Sequence, residues 1–204
     1  MNKFLLLFLF ALPCIVFSQV KEAPLINDGE GPYSQLILRG VNLIDGTGAP
    51  MRGPIDIVIE NDRIVGIHNV GYPGVEINEK SRPTLKAGGR SFDLKGHYVL
   101  PGFVDMHGHI GGKTQAPNGE YVFKLWMAHG ITSVRDPSCG NGLDWVLNHK
   151  QLSDENKITA PRIFAYTAFG QGAEKPIATP DEAREWVRNN KSKGADGIKF
   201  FGAA

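Results

Sequence analysis

Residues 98–110 read YVLPGFVDMHGHI. An apolar run containing Pro101 and Gly102 ends abruptly in one carboxylate and two imidazoles at alternate positions, Asp105, His107 and His109. Read as a strand, the stretch puts all three side chains on one face, because successive side chains alternate sides. Same-face neighbours two apart stand ~7 Å from Cβ to Cβ. Two imidazoles at that spacing can converge on one ion, with metal–nitrogen distances of about 2.0–2.1 Å. Gly108 between them permits close backbone approach. The competing reading is a pair of solvent-facing loop histidines steadied by Asp105. Three ionisable groups on one face of an apolar strand are costly without a partner, which favours the ion.

Downstream of this stretch the sequence repeats one grammar. FVDMH (103–107), ITSVRD (131–136), RIFAYTA (162–168) and GIKFF (197–201) are short apolar strands about thirty residues apart, with helix-like segments between them. EYVFKLWMAHG (120–130) ends in glycine. TPDEAREWVRNNKSKG (179–194) carries Thr179 as N-cap, Pro180 at the first helical position, acids early, bases late, and Gly194 at its end. Strand alternating with helix implies right-handed βαβ units and a parallel sheet. In such folds ligands bind at the carboxyl ends of the strands, which is where the histidines stand.

Upstream the signal is β alone. QLILRGVNLI (35–44), PIDIVIEND (54–62) and RIVGIHNV (63–70) are short strands rich in Ile, Val and Leu, separated by DGTGAP and by Asn61-Asp62. A long polar connection over 71–89 leads to SFDLKGHYVL (91–100). This predicts a small antiparallel sheet or sandwich over 35–100. Residues 19–34 read as a linker. The apolar run Phe4–Phe17 behind Lys3 reads as a secretory signal peptide over 1–18, cut near Ser18. It falls short of the ~20 residues a membrane span needs, so no span is expected after cleavage, and the protein is expected outside the cytoplasm, in the periplasm or beyond the cell.

The whole chain carries a formal charge of +1, and loss of Lys3 with the leader makes it neutral. A neutral surface argues against nucleic acid or anionic membrane as the main partner. Cys139 is then the sole cysteine, so no internal disulfide can form. A homo-oligomer stays open.

GHYVLPGFVDMHGHI resembles the amidohydrolase superfamily signature, a Pro-Gly-apolar-apolar-Asp-x-His-x-His run on the first barrel strand. LIDGTG, DIVIENDRIVGI, GITSVRD, APRIFA and GADGIKFF are similar to successive landmarks of its imidazolonepropionase and prolidase-like branch, so the likeness extends over nearly all of 35–204. The resemblance implies an α/β fold. A small β-sandwich over 35–100 precedes the first half of a (β/α)8 TIM-type barrel over 101–204, with one or two divalent metals, Zn2+ foremost, at the barrel's carboxyl end. It implies His107 and His109 as the first two metal ligands and Asp105 as the residue that orients an imidazole. The implied activity is hydrolysis of a C–N bond in a small amide, cyclic amide or dipeptide by metal-activated water. The family completes its site with histidines after strands five and six and an aspartate after strand eight. The chain therefore reads as the first half of a longer enzyme, inactive alone.

Lys199 enters the same barrel on an apolar strand, where an unpaired ammonium is expensive. It should be deprotonated, paired or modified. In the resembling branch a lysine on the fourth strand takes up CO2 as a carbamate (N6-carboxylysine) and bridges two metals. An unmodified lysine holding a substrate carboxylate and a plain salt bridge are the alternatives. Arg135 and Asp136 end the second strand and read as a structural ion pair. Tyr166 and FGQGAEKP (169–176) follow the third strand and read as pocket lining. Some relatives carry Gly-Gly-His there and this chain does not, which leaves specificity open. His129 and His149 read as cap or surface residues, His68 and His97 as structural, and Cys139 as an inert thiol. Two other functions compete: a binding module with a vestigial metal site, and isomerase or decarboxylase chemistry on the same scaffold.

Overall fold

The computed structural model describes residues 30–114 and 119–202. The expected signal peptide at 1–18 and residues 19–29 of the linker lie outside them. Five strands, β1 (Gln35–Leu43), β2 (Arg52–Glu60), β3 (Arg63–Asn69), β4 (Arg90–Asp93) and β5 (Tyr98–Val99), make one sheet in the order β3-β2-β1-β4, with β5 also on β1. The hairpins β1–β2 and β2–β3 are antiparallel as the short turns require. Strands β4 and β5 instead run parallel to β1. This corrects the expected all-antiparallel sheet: the long 71–89 connection carries the chain back across the sheet, and it re-enters alongside β1. The stretch 91–100 is also two strands and not one. A turn separates them, closed by the His97 N–H on the Leu94 carbonyl at 2.9 Å with Gly96 at φ 83°.

The small core of this sheet is Val41, Leu43, Ile55 and Ile57, all buried. One polar group sits among these strands. Asp56, fully buried, accepts the Gly40 N–H at 2.8 Å, the Arg39 guanidinium at 3.2 Å and two Arg82 N–H groups at 2.9 and 3.0 Å. Burial alone would push its carboxyl up, but Arg82, the Gly40 N–H and Arg39 together hold it below the usual range. The cluster ties the long connection to the sheet.

The second part alternates as the sequence predicts: β6 (Phe103–Asp105), α1 (Glu120–Ala128), β7 (Ile131–Asp136), α2 (Leu143–Asp154), β8 (Arg162–Ala168), α3 (Pro180–Lys193) and β9 (Gly197–Lys199). The four strands pair in parallel in chain order, β6-β7-β8-β9, giving a curled half-barrel. Helix α3 starts on the expected Thr179 cap, and Glu182 completes a reciprocal capping box; Gly194 ends it in the left-handed conformation at φ 111°. The residues of β7 and β8 that face the helices, Val134, Ile163 and Ala165, pack with Ile110, Phe123, Cys139 and Val146 into the second core. Residues of opposite parity, Arg135, Phe164 and Tyr166, stand on the other, more open face. The site is built on that face.

Asp56→Ala should cost about 3–5 kcal/mol, because it strands two partly buried guanidiniums. Urea denaturation of the variant against the parent measures it.

Candidate metal and substrate site

Strand β6 stops at Asp105, two residues short of the expected strand 103–107; His107 follows in a turn and His109 in the loop after it. The reason is local. Asp105 Oδ1 accepts the His107 N–H at 2.9 Å, an Asx-type closure that competes with extending the ladder. Asp105 therefore shapes the backbone that carries His107; the expected contact from Asp105 to an imidazole nitrogen is not what it makes. The rings still meet, edge to face, with centroids 5.2 Å apart. Gly108 is required between them, since a Cβ there would lie 2.6 Å from Val134 Cγ2 and 2.9 Å from Asp105 Oδ2.

His109 Nδ1 lies 2.9 Å from the Ser138 carbonyl oxygen. A carbonyl only accepts, so Nδ1 carries the proton and Nε2 keeps its lone pair. Asp136 stands behind this arrangement, fully buried, accepting the Ile110 N–H at 3.3 Å and the Ser138 N–H at 3.0 Å, with His109 Nδ1 at 3.7 Å. Burial raises the Asp136 carboxyl above its ordinary value, against the pull of those two N–H groups and His109. The expected Arg135–Asp136 ion pair does not form. Neighbours in a strand point to opposite faces, and Arg135 turns inward, donating Nε to the Met106 carbonyl at 2.6 Å.

Lys199, at the end of β9, places Nζ 3.0 Å from His107 Nε2, bridging 92 residues of sequence. Its amine also lies 4.7 Å over the Phe201 ring. No carboxylate pairs with it among the described residues. Tyr166 lies within β8, two residues before its end, with its ring under the Arg135 guanidinium at 5.3 Å. The ring crosses β9 at Gly197, where a Cβ would come within 2.1 Å of Tyr166 Cε1.

Two imidazoles and one amine thus converge at the carboxyl ends of β6 and β9. Nitrogen donors of this kind suit a divalent ion such as zinc. Among the described residues no set of three His, Cys, Asp or Glu side chains gathers to hold an ion. The loop 169–176 joins the site through Gln171, which donates to the Cys139 carbonyl at 2.9 Å and accepts from Thr167 Oγ1 at 3.2 Å, the Ala168 N–H at 3.2 Å and Ser138 Oγ at 3.5 Å. The sequence does not single out Asp136 as the organiser of His109, for which the available signal is a polar residue at a buried-parity position of an apolar strand; Gln171 falls within the 169–176 stretch expected at the pocket, but its bridging role is not legible there. His129 caps α1 through the Leu125 carbonyl at 2.7 Å, and His149 stacks on Trp145 at 3.7 Å, both away from the rings. No described helix is long and apolar enough to cross a membrane.

No family model matches the chain. Among curated proteins it is similar to an N-acyl-D-aspartate deacylase of Alcaligenes xylosoxydans xylosoxydans, 28% identical over 155 residues, which are 75% of this chain and 27% of that protein. It is similar to an adenine deaminase of Methanoculleus marisnigri, 45% identical over 67 residues, 29% of this chain and 12% of that protein. Among solved structures, a Xaa-Pro dipeptidase with bound methionine in its active site aligns with TM-score 0.60 at 25% identity, over 82% of this chain and 47% of that one. The chain thus spans about a quarter or less of these two curated relatives and under half of the dipeptidase.

Cys139 is buried, its thiol donating to the Gly111 carbonyl at 3.0 Å, and burial pushes it up to about 12. Thiol reagents at pH 8 should leave the folded protein unlabelled and modify Cys139 once it is denatured; mass spectrometry reads both states.

Proposed function

We propose that this chain, an amidohydrolase-superfamily protein, supplies the metal-holding nitrogens of a hydrolase that cleaves a carbon–nitrogen bond in a small amide or peptide. The observation that carries the reading is the meeting of His107, His109 and Lys199 from opposite ends of the half-barrel, with rings 5.2 Å apart and Nζ 3.0 Å from Nε2. A divalent ion, one or two and zinc foremost, would supply there a water of lowered pKa and a Lewis acid for the substrate carbonyl. The chain's own part is to hold its nitrogens in place: Ser138 fixes the His109 tautomer, and Asp105 fixes the turn that carries His107. Lys199 joins as a carbamate: its ammonium gives up one proton, and the neutral amine then adds CO2 through a new N–C bond with loss of a second, which exchanges a cation for an anionic oxygen pair. Two relatives support the amide reading, the N-acyl-D-aspartate deacylase and the Xaa-Pro dipeptidase. The substrates in both names carry a carboxylate on the amine side of the scissile bond. Tyr166 lines the pocket that receives it. Export behind the Phe4–Phe17 run belongs to the same proposal.

His107→Ala with His109→Ala should abolish zinc uptake by elemental analysis along with any amide hydrolysis. Lys199→Ala should lower zinc content, and Lys199→Arg should not restore it, because arginine stays cationic. Unchanged zinc in these variants would refute the site. Exported protein should begin near Gln19 by N-terminal sequencing; a retained Met1 would refute the leader.

A further inference from the structure

At the carboxyl end of the open face of the half-barrel, Arg135 is a cation whose terminal donors are not spent. Its Nε is committed to the Met106 carbonyl at 2.6 Å, one residue before His107. Its guanidinium lies 5.3 Å over the Tyr166 ring. These two contacts fix both the position and the plane of the group. Its two terminal NH2 groups have no hydrogen-bond or ion-pair partner among the described residues. The two carboxylates at the ends of β6 and β7 are occupied elsewhere: Asp136 faces the core and serves the Ile110 and Ser138 N–H groups, and Asp105 is closed on the His107 N–H. Lys199, the cation at the end of β9, is engaged with His107 and Phe201.

A guanidinium held in one plane with its fork open matches the two oxygens of a carboxylate, which it can bind through two parallel N–H···O bonds. An ion pair with Asp136 would have closed that fork, and strand alternation prevents it. Gly197 contributes by leaving room for the Tyr166 ring on which the guanidinium rests. Anchored beside the residue that precedes His107, a bound carboxylate would sit within a few bonds of any group held at the histidines.

We propose that Arg135 is the anchor for a substrate carboxylate, restricting this site to amides whose amine portion carries a free carboxyl group, such as N-acyl amino acids and dipeptides. The proposal rests on the amide-hydrolase reading for its meaning, but binding tests it separately. The probes are N-acetylglycine and N-acetylglycinamide, achiral, of equal size and differing only in charge. In the zinc-loaded protein, binding by saturation-transfer NMR should favour N-acetylglycine at least about tenfold, as a charge-assisted bidentate contact provides. In Arg135→Gln the ratio between the two probes should fall toward one. Arg135→Lys should recover little of it, because an ammonium lacks the fork. A merely structural Arg135 would lower both probes alike and leave their ratio intact, which would overturn the proposal. So would equal binding of the two probes by the parent protein, or no detectable binding of N-acetylglycine. Preferred binding of N-acetylglycine that depends on Arg135, with zinc content unchanged by His107→Ala and His109→Ala, would sustain the anchor and refute the metal-hydrolase reading.

Discussion

The candidate site depends on one buried carboxylate. Asp136 ends β7 on the face turned toward the helices, and it accepts the N–H of Ile110 from the loop after β6 and of Ser138 from its own loop. Two loops that share no strand ladder are thereby fixed to one point. Ser138, held in this way, presents its carbonyl to His109 and decides which ring nitrogen is protonated. Burial raises the Asp136 carboxyl, so the group is maintained against a desolvation cost that those N–H groups, the nearby imidazole and the Cys139 thiol partly offset. Without them the carboxylate would have no reason to stay inside.

Strand alternation then divides the labour. The outward parity of β7 and β8 gives Val134, Ile163 and Ala165 to the core against Phe123 and Val146, where close packing makes the sheet stiff. The inward parity gives Arg135, Tyr166 and, from β9, Lys199 to the open face. Stiffness on one side is what allows reactive groups on the other to be placed to within a hydrogen bond.

Much of this was legible in the sequence. The His-Gly-His spacing, the strand–helix alternation after residue 100 and the Thr179 and Gly194 ends of α3 all rest on local patterns, and local patterns are what a sequence displays. The direction of β4 and β5 was not legible, because alternation is the same for a strand run either way. Asp105 was read as an extended residue, whereas its own side chain closes the turn that ends the strand. Arg135 and Asp136 read as an ion pair from the resemblance at the end of the second strand, but adjacency in a strand is what separates them. The bond from Lys199 to His107 spans 92 residues, and only the closing of the sheet brings it about.

Gln171 gives the loop after β8 a mechanical role. One side chain grips Thr167 and Ala168 at its own strand end and Ser138 and Cys139 across the gap. The loop therefore cannot swing independently of the carbonyl that steers His109. The segment 169–176 and the carbonyl that orients the imidazole are thus tied through a single side chain.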